Sequence, residues 1–289
     1  MEVAMLTIQR TMKILDNVSD LPTLPTVYTK VSKLVENPNS TVAQVAKVIE
    51  ADQAITAKVL RLVNSSFFGF SRKISTVNQA IILLGFNTIR NTVLSVSMFN
   101  SFRLNKNGML NLSEFWRHSI GCGLISGLLE VRLNADLREE AFAAGILHDI
   151  GKLVLDRYFP NEFIAALKHA QTEQCQLREA EKVVIGVSHD EVGEYLAERW
   201  RLPHKLVEAI ALHHLPSNFR SSPKLVSIVH IANIFVQEMQ IGQSGDCKVP
   251  EIDPFALEEL GVDEDTINGW YVQIQEEIKE NQDLFEIIS

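Results

Sequence analysis

Apolar residues recur three and four positions apart along nearly all of this 289-residue chain, and no run alternates with period two for long enough to make a sheet. Sets such as Val27, Val31, Leu34, Val35 and Ile267, Ile274, Ile278 place their side chains on one helical face. Only 14 glycines and 9 prolines interrupt the chain, too few for a turn-rich sandwich. An all-α protein is expected. With 46% hydrophobic and 22% charged residues, it can build a packed core and is not mainly disordered.

The breakers divide the chain. Pro22 and Pro25 fix an extended bend, and Asn37-Pro38-Asn39-Ser40 ends the helix that follows. A short helix is expected over Met5–Asp16. Thr41 or Ser40, Asp52, Thr76 or Ser75, and Asn87 can each cap one of a quick succession of helices. Phe67-Phe68-Gly69-Phe70 reads as buried aromatic packing at a tight turn. Residues 101–112 look like a connection. They place a boundary near Asn105, between an N-terminal helical subdomain (1–105) and a second helical domain with a C-terminal extension (106–289). Beyond it the helices lengthen. Ser113–Leu133 is expected to be capped by Ser113, and Leu137–Phe159 to form one helix after Asp136. His189–Trp200, Pro203–His213 and Pro223–Met239 follow.

Charge and cysteine usage narrow the function. With 27 basic and 36 acidic residues the net charge is −9, which disfavours broad nucleic-acid binding. In Thr41–Asn64, where a helix-turn-helix is conceivable, Lys47, Lys58 and Arg61 stand against Glu50 and Asp52, a thin recognition surface. Cys122, Cys175 and Cys247 are dispersed and odd in number, as expected of reduced thiols in a cytoplasmic protein. The polar N-terminus does not resemble a signal peptide, and no stretch of eighteen apolar residues suggests a membrane span.

All eight histidines lie at or after position 118. The sharpest motif is Gly145-Ile146-Leu147-His148-Asp149-Ile150-Gly151-Lys152. Adjacent His and Asp side chains on one helix diverge by about 100° and can reach one ion, while a carboxylate can bridge two. Lys152, one turn after His148, can meet an anionic phosphate. Glu114 and His118 share a helix face, His189 opens a helix, and His213-His214 closes another. Imidazoles with carboxylates suit first-row divalent ions such as iron, manganese, nickel or zinc. The alternative, a His-Asp pair that merely fixes helix packing, stays open; His169 and His204 read as polar core or surface residues.

HDIGK, HDEVGEYLAERWRLP and AIALHH, in this order, resemble the HD superfamily of metal-dependent phosphohydrolases, near its HD-GYP branch. The segments LPTLPTVYTKVSKLVENPNSTVAQVAKVIEADQAITAKVLRLVNSSFFG and ISTVNQAIILLGFNTIRNTVLS resemble the HDOD domain specifically. The resemblance covers residues from about 20 to 235 and implies an HD-like helical bundle. It implies that His118, His148 and Asp149 bind one ion, and that Asp149, His189, His213 and His214 bind a second. Glu114 would be an additional carboxylate ligand, and Lys152 would face a bound phosphate. The superfamily closes its ligand set with an Asp on a later helix; here the candidate position is Asn233, a weaker ligand that adds no charge. The GYP signature is also missing.

Two functions follow as expectations. One is a bacterial signal-transduction module acting as an output or adaptor domain for a protein partner, with a His/Asp metal site. The other is a metal-dependent phosphodiesterase or phosphohydrolase acting on a nucleotide, a cyclic dinucleotide or another phosphorylated small molecule. In the second, Asp149 and Lys152 would be the catalytic residues.

Overall fold

The computed structural model describes Leu15 and residues 21–65, 67–102 and 109–288. Apart from Leu15, the expected Met5–Asp16 helix lies outside these residues, as does the boundary near Asn105. All regular secondary structure among the described residues is helical, with no strand among them.

Four helices come first: α1 Thr26–Glu36, α2 Val42–Glu50, α3 Gln53–Val63 and α4 Val77–Ser101. Thr41 and Gln44 form a capping box for α2, Asp52 accepts from the Ile55 N–H at 3.0 Å for α3, and Thr76 accepts from Gln79 N at 3.2 Å for α4. Asn87 caps nothing; the interruption in α4 is at Gly85, with φ 83°. Val77–Phe99 is long and apolar enough to cross a membrane by length and composition, which the residue count did not anticipate. It is broken at Gly85, and its buried Ile89, Val93, Leu94 and Met98 pack into the core between α1, α2 and α3.

The remaining helices surround a second centre: α5 Leu112–Leu133, α6 Arg138–Leu147, α7 Ile150–Tyr158, α8 Pro160–Glu173, α9 Leu177–Val184, α10 His189–Arg199, α11 His204–Leu212 and α12 Pro223–Glu238. Two expected caps differ. Asn111, not Ser113, caps α5 by accepting from Ser113 N and Glu114 N. Asp136 adopts φ 61° and does not start a long helix. The expected single helix Leu137–Phe159 is two, α6 and α7, parted at His148-Asp149, where Asp149 has φ −97° and ψ 10°. Glycines allow the helices to approach around this break. A Cβ on Gly145 would lie 2.7 Å from Gly123 Cα, and one on Gly151 would lie 1.9 Å from the His189 carbonyl.

The C-terminal helices α13 Pro254–Leu260 and α14 Glu264–Glu280 close over α12 and α5, with Arg132 paired to Glu277. The hydrophobic core runs without interruption from Leu15 to Phe285, across both halves of the chain. Phe67 is one junction: its ring packs on Phe142 of α6 with centroids 4.9 Å apart, and the Arg138 guanidinium lies 4.6 Å from its centroid.

Candidate metal centre

Asp149 sits at the α6–α7 break, so its carboxylate is turned out of both helices into the space between α5, α10 and α11. Its two oxygens face different histidines. Oδ2 lies 3.5 Å from His118 Nε2 and 3.3 Å from His148 Nε2; Oδ1 lies 3.3 Å from His189 Nε2 and 3.7 Å from His213 Nε2. His214 joins the second set, its Nε2 being 3.0 Å from that of His189. Among the described residues two ligand groups result, His118–His148–Asp149 and Asp149–His189–His213–His214, each with donor atoms within 4.8 Å of one another. All members are buried except His214, which is half-buried.

Hydrogen bonds at the outer nitrogens orient three of these rings. His148 Nδ1 donates to Gly145 O at 2.7 Å, His213 Nδ1 to Ile210 O at 2.8 Å, and His189 Nδ1 to Glu181 Oε2 at 2.7 Å. Each bond holds its ring with Nε2 turned inwards, towards Asp149. At one point two acceptors meet in a dry pocket. Asp149 Oδ1 and His213 Nε2 have no hydrogen-bond partner. A shared carboxylate flanked by imidazole lone pairs fits divalent first-row cations, and the carbonyl and Glu181 contacts are the kind of outer support that orients metal-binding histidines.

Electrostatics divide the histidines. Burial pushes His118 down to about 3 and holds His213 and His214 well below the usual imidazole range, so all three are neutral donors. Burial opposes charge on His148 as well, but the Asp149 carboxylate and Cys122 outweigh it and push this imidazole up. Asp149 stays ionised despite burial, because His148 and Lys152 hold it well below the usual carboxylate range.

The other expected residues are placed differently. Lys152 is wholly buried, and its Nζ donates to Asp149 Oδ2 at 2.8 Å, Ser244 Oγ at 3.2 Å and Asp246 Oδ2 at 2.5 Å. These use all the donors of an ammonium group, leaving none for a phosphate in this conformation. Glu114 stands outside both ligand groups, half-buried at the lip of a cavity of about 450 Å³ that it shares with His118, Gln243, Ser244 and Asp246. Asn233 is buried, and its Oδ1 accepts from Gln237 Nε2 at 3.0 Å. His230 is occupied on both sides: Nδ1 donates to His213 O at 2.8 Å, and Nε2 accepts from Asp253 N at 2.9 Å. It steadies the His213 backbone. Sequence reasoning missed Glu181, Ser244 and Asp246; the last two lie in a stretch that reads only as a turn.

Comparison with known proteins identifies the family. The HDOD domain model matches residues 21–216.

The chain belongs to the HDOD family.

Its structure is similar, with a TM-score of 0.81 at 26% identity, to an HDOD domain protein of unknown function from Geobacter sulfurreducens, over 99% of this chain and 98% of the other. It is also similar, with a TM-score of 0.73 at 25% identity, to a Shewanella amazonensis protein provisionally named a phosphohydrolase, over 95% and 97% of the two chains. An uncharacterized protein of Treponema pallidum is 26% identical over 227 residues, 78% of this chain. The match spans 44% of that relative, so the HDOD chain corresponds to less than half of the curated protein.

Proposed function

We propose that this HDOD chain is a metal-loaded signalling module, whose His/Asp centre holds one or two divalent first-row cations and whose N-terminal helices serve a protein partner. The carrying observation is the burial of Asp149 between two sets of histidines, with Asp149 Oδ1 and His213 Nε2 facing each other at 3.7 Å and neither having a hydrogen-bond partner. Cations there would tie together α5, α6, α10 and α11, which arrive from distant parts of the sequence. The outer hydrogen bonds of His148, His189 and His213 hold these rings in place around Asp149, which prepares the pocket for that role. Bacterial signal transduction in the cytoplasm suits such a module, since the partner can then read the metal-fixed shape.

A second reading is favoured by the cavity that reaches His118: hydrolysis of a phosphodiester in a nucleotide or another phosphorylated small molecule. Bound cations would supply Lewis acidity. Asp149 would hold them, the cavity's Gln243 and Ser244 would orient the ligand, and the Lys152 charge would act through Asp149 rather than by direct contact.

Elemental analysis of protein purified without chelators tests the first reading. One to two equivalents of iron, manganese, nickel or zinc are expected, with a lower content in His148→Ala. Metal-free protein from a metal-replete culture would refute it. Metal-dependent release of product from a phosphodiester, in protein carrying the same metal content, would move the conclusion to the second reading.

A further inference from the structure

Lys152 brings a positive charge into the heart of a site suited to cations. Its ammonium is 2.8 Å from Asp149 Oδ2, the oxygen that faces His118 and His148. There it competes with a cation for that oxygen and also repels it, in surroundings where water does little screening. Lys152 is fully buried and has no solvent to turn towards.

Asp246 offsets this charge. Its Oδ2 lies 2.5 Å from Nζ, and its side chain is only 6% exposed. Ser244 links the pair, accepting from Lys152 at 3.2 Å and donating to Asp246 Oδ2 at 3.0 Å. The loop is built to deliver this carboxylate. Gly242 has φ 67°, and a Cβ there would lie 2.3 Å from Glu114 O and 2.4 Å from His118 N. Gln243 N donates to Glu114 O at 3.0 Å, so the loop rests on the backbone of the helix that carries His118. Asp246 therefore reaches Lys152 from an element registered directly against a metal-ligand residue.

We propose that Asp246 is a positioning residue of the metal centre: by carrying the Lys152 ammonium, it releases Asp149 to coordinate and sets cation affinity at the His118–His148–Asp149 group. This rests on reading the centre as a metal site. Asp246 supplies negative charge near the centre from a loop, whereas Asn233, on α12, supplies none. With Asn at 246, Asp149 would be the only carboxylate on the lysine, and the ammonium would settle on Oδ2.

A double-mutant cycle decides it. The full chain, Asp246→Asn, Lys152→Met and the double variant are stripped of metal and titrated with Mn²⁺, the free ion being followed by electron paramagnetic resonance. Circular dichroism melts check folding. Asp246→Asn is expected to weaken Mn²⁺ binding about tenfold or more. Removing Lys152 as well should return affinity to within about threefold of wild type, a rescue that a merely structural role for Asp246 would not give. Asp246→Asn with wild-type affinity, or a double variant as weak as Asp246→Asn, overturns the proposal. If Asp246→Asn fails to fold, Lys152→Met decides: affinity at or above wild type supports the proposal, and a tenfold fall overturns it. If wild type takes up no Mn²⁺, this proposal fails, and the metal reading falls with it where elemental analysis also finds no iron, nickel or zinc; uptake that is insensitive to the charge pair sinks the proposal alone.

Discussion

Gly151→Ala is the substitution that most directly tests how the fold builds its centre. Gly151 is the second residue of α7, two after Asp149, and faces the start of α10, which opens with His189. An added Cβ would lie 1.9 Å from the His189 carbonyl oxygen and 2.8 Å from Gly193 N, both backbone atoms that cannot swing aside. Ordinary contact begins at 3.4 Å, so α7 and α10 would have to part by about 1.5 Å. That displacement falls on the 3.3 Å approach of His189 Nε2 to Asp149 Oδ1. Overpacking of this kind costs about 1–3 kcal/mol. Loss of ligand registration should weaken metal binding by about tenfold or more. Urea unfolding followed by circular dichroism reads the first effect, and Mn²⁺ titration the second. Gly269→Ala is the control: nothing lies within 4 Å of its added Cβ, and in the interior of α14 alanine should stabilise the helix by about 0.5–1 kcal/mol. A Gly151→Ala protein with wild-type unfolding midpoint and wild-type Mn²⁺ affinity would refute the claim that the α7–α10 contact sets the centre.

Glu181→Gln should weaken Mn²⁺ binding about tenfold, because Glu181 Oε2 takes both the backbone N–H and the Nδ1–H of His189, at 2.8 and 2.7 Å; unchanged affinity by titration would show that His189 needs no such support. Asp149→Asn should bring metal content below one equivalent by elemental analysis, and under the hydrolytic reading abolish turnover, since Asp149 is the carboxylate common to both ligand groups. Glu208→Gln should destabilise the protein at neutral pH by about 1–3 kcal/mol in urea unfolding. Burial alone would raise the Glu208 value, but the N–H groups of Ser221, Arg220 and Ser222 and the Ser221 hydroxyl hold it at about 2. Because this value is depressed on folding, its stabilisation is present above the ordinary carboxylate range and is lost as pH falls towards 2. The variant should therefore narrow its stability gap to wild type in acid; a constant gap across that interval would contradict the assignment.

Much of this molecule is legible without coordinates, because helical periodicity and caps are local. Thr41 and Asp52 cap the helices they should, and the imidazoles of His118, His148, His189, His213 and His214 meet where the order of motifs implies. What is not legible depends on long-range packing. An unbroken helix through His148-Asp149 satisfies every local propensity, yet Gly123 against Gly145 and Gly151 against His189 draw α5 onto α6 and α10 onto α7, with the chain turning at Asp149 between the two contacts. That turn aims the two oxygens of Asp149 at different histidines. The same limit explains Asn233 and Asp246. Position 233 stands out because it falls on a periodic helix at the place where a carboxylate is expected. Residue 246 sits in an aperiodic loop marked only by Gly242 and Gly245, and its role depends on the buried Lys152, 94 positions earlier. A positive charge sealed in a dry interior requires a counter-charge wherever the chain can supply one. A motif records the residue at a position, whereas this requirement is met by a charge in a volume; the carboxylate absent from α12 therefore says little about the charge balance of the centre until the loop resting on His118 is taken into account.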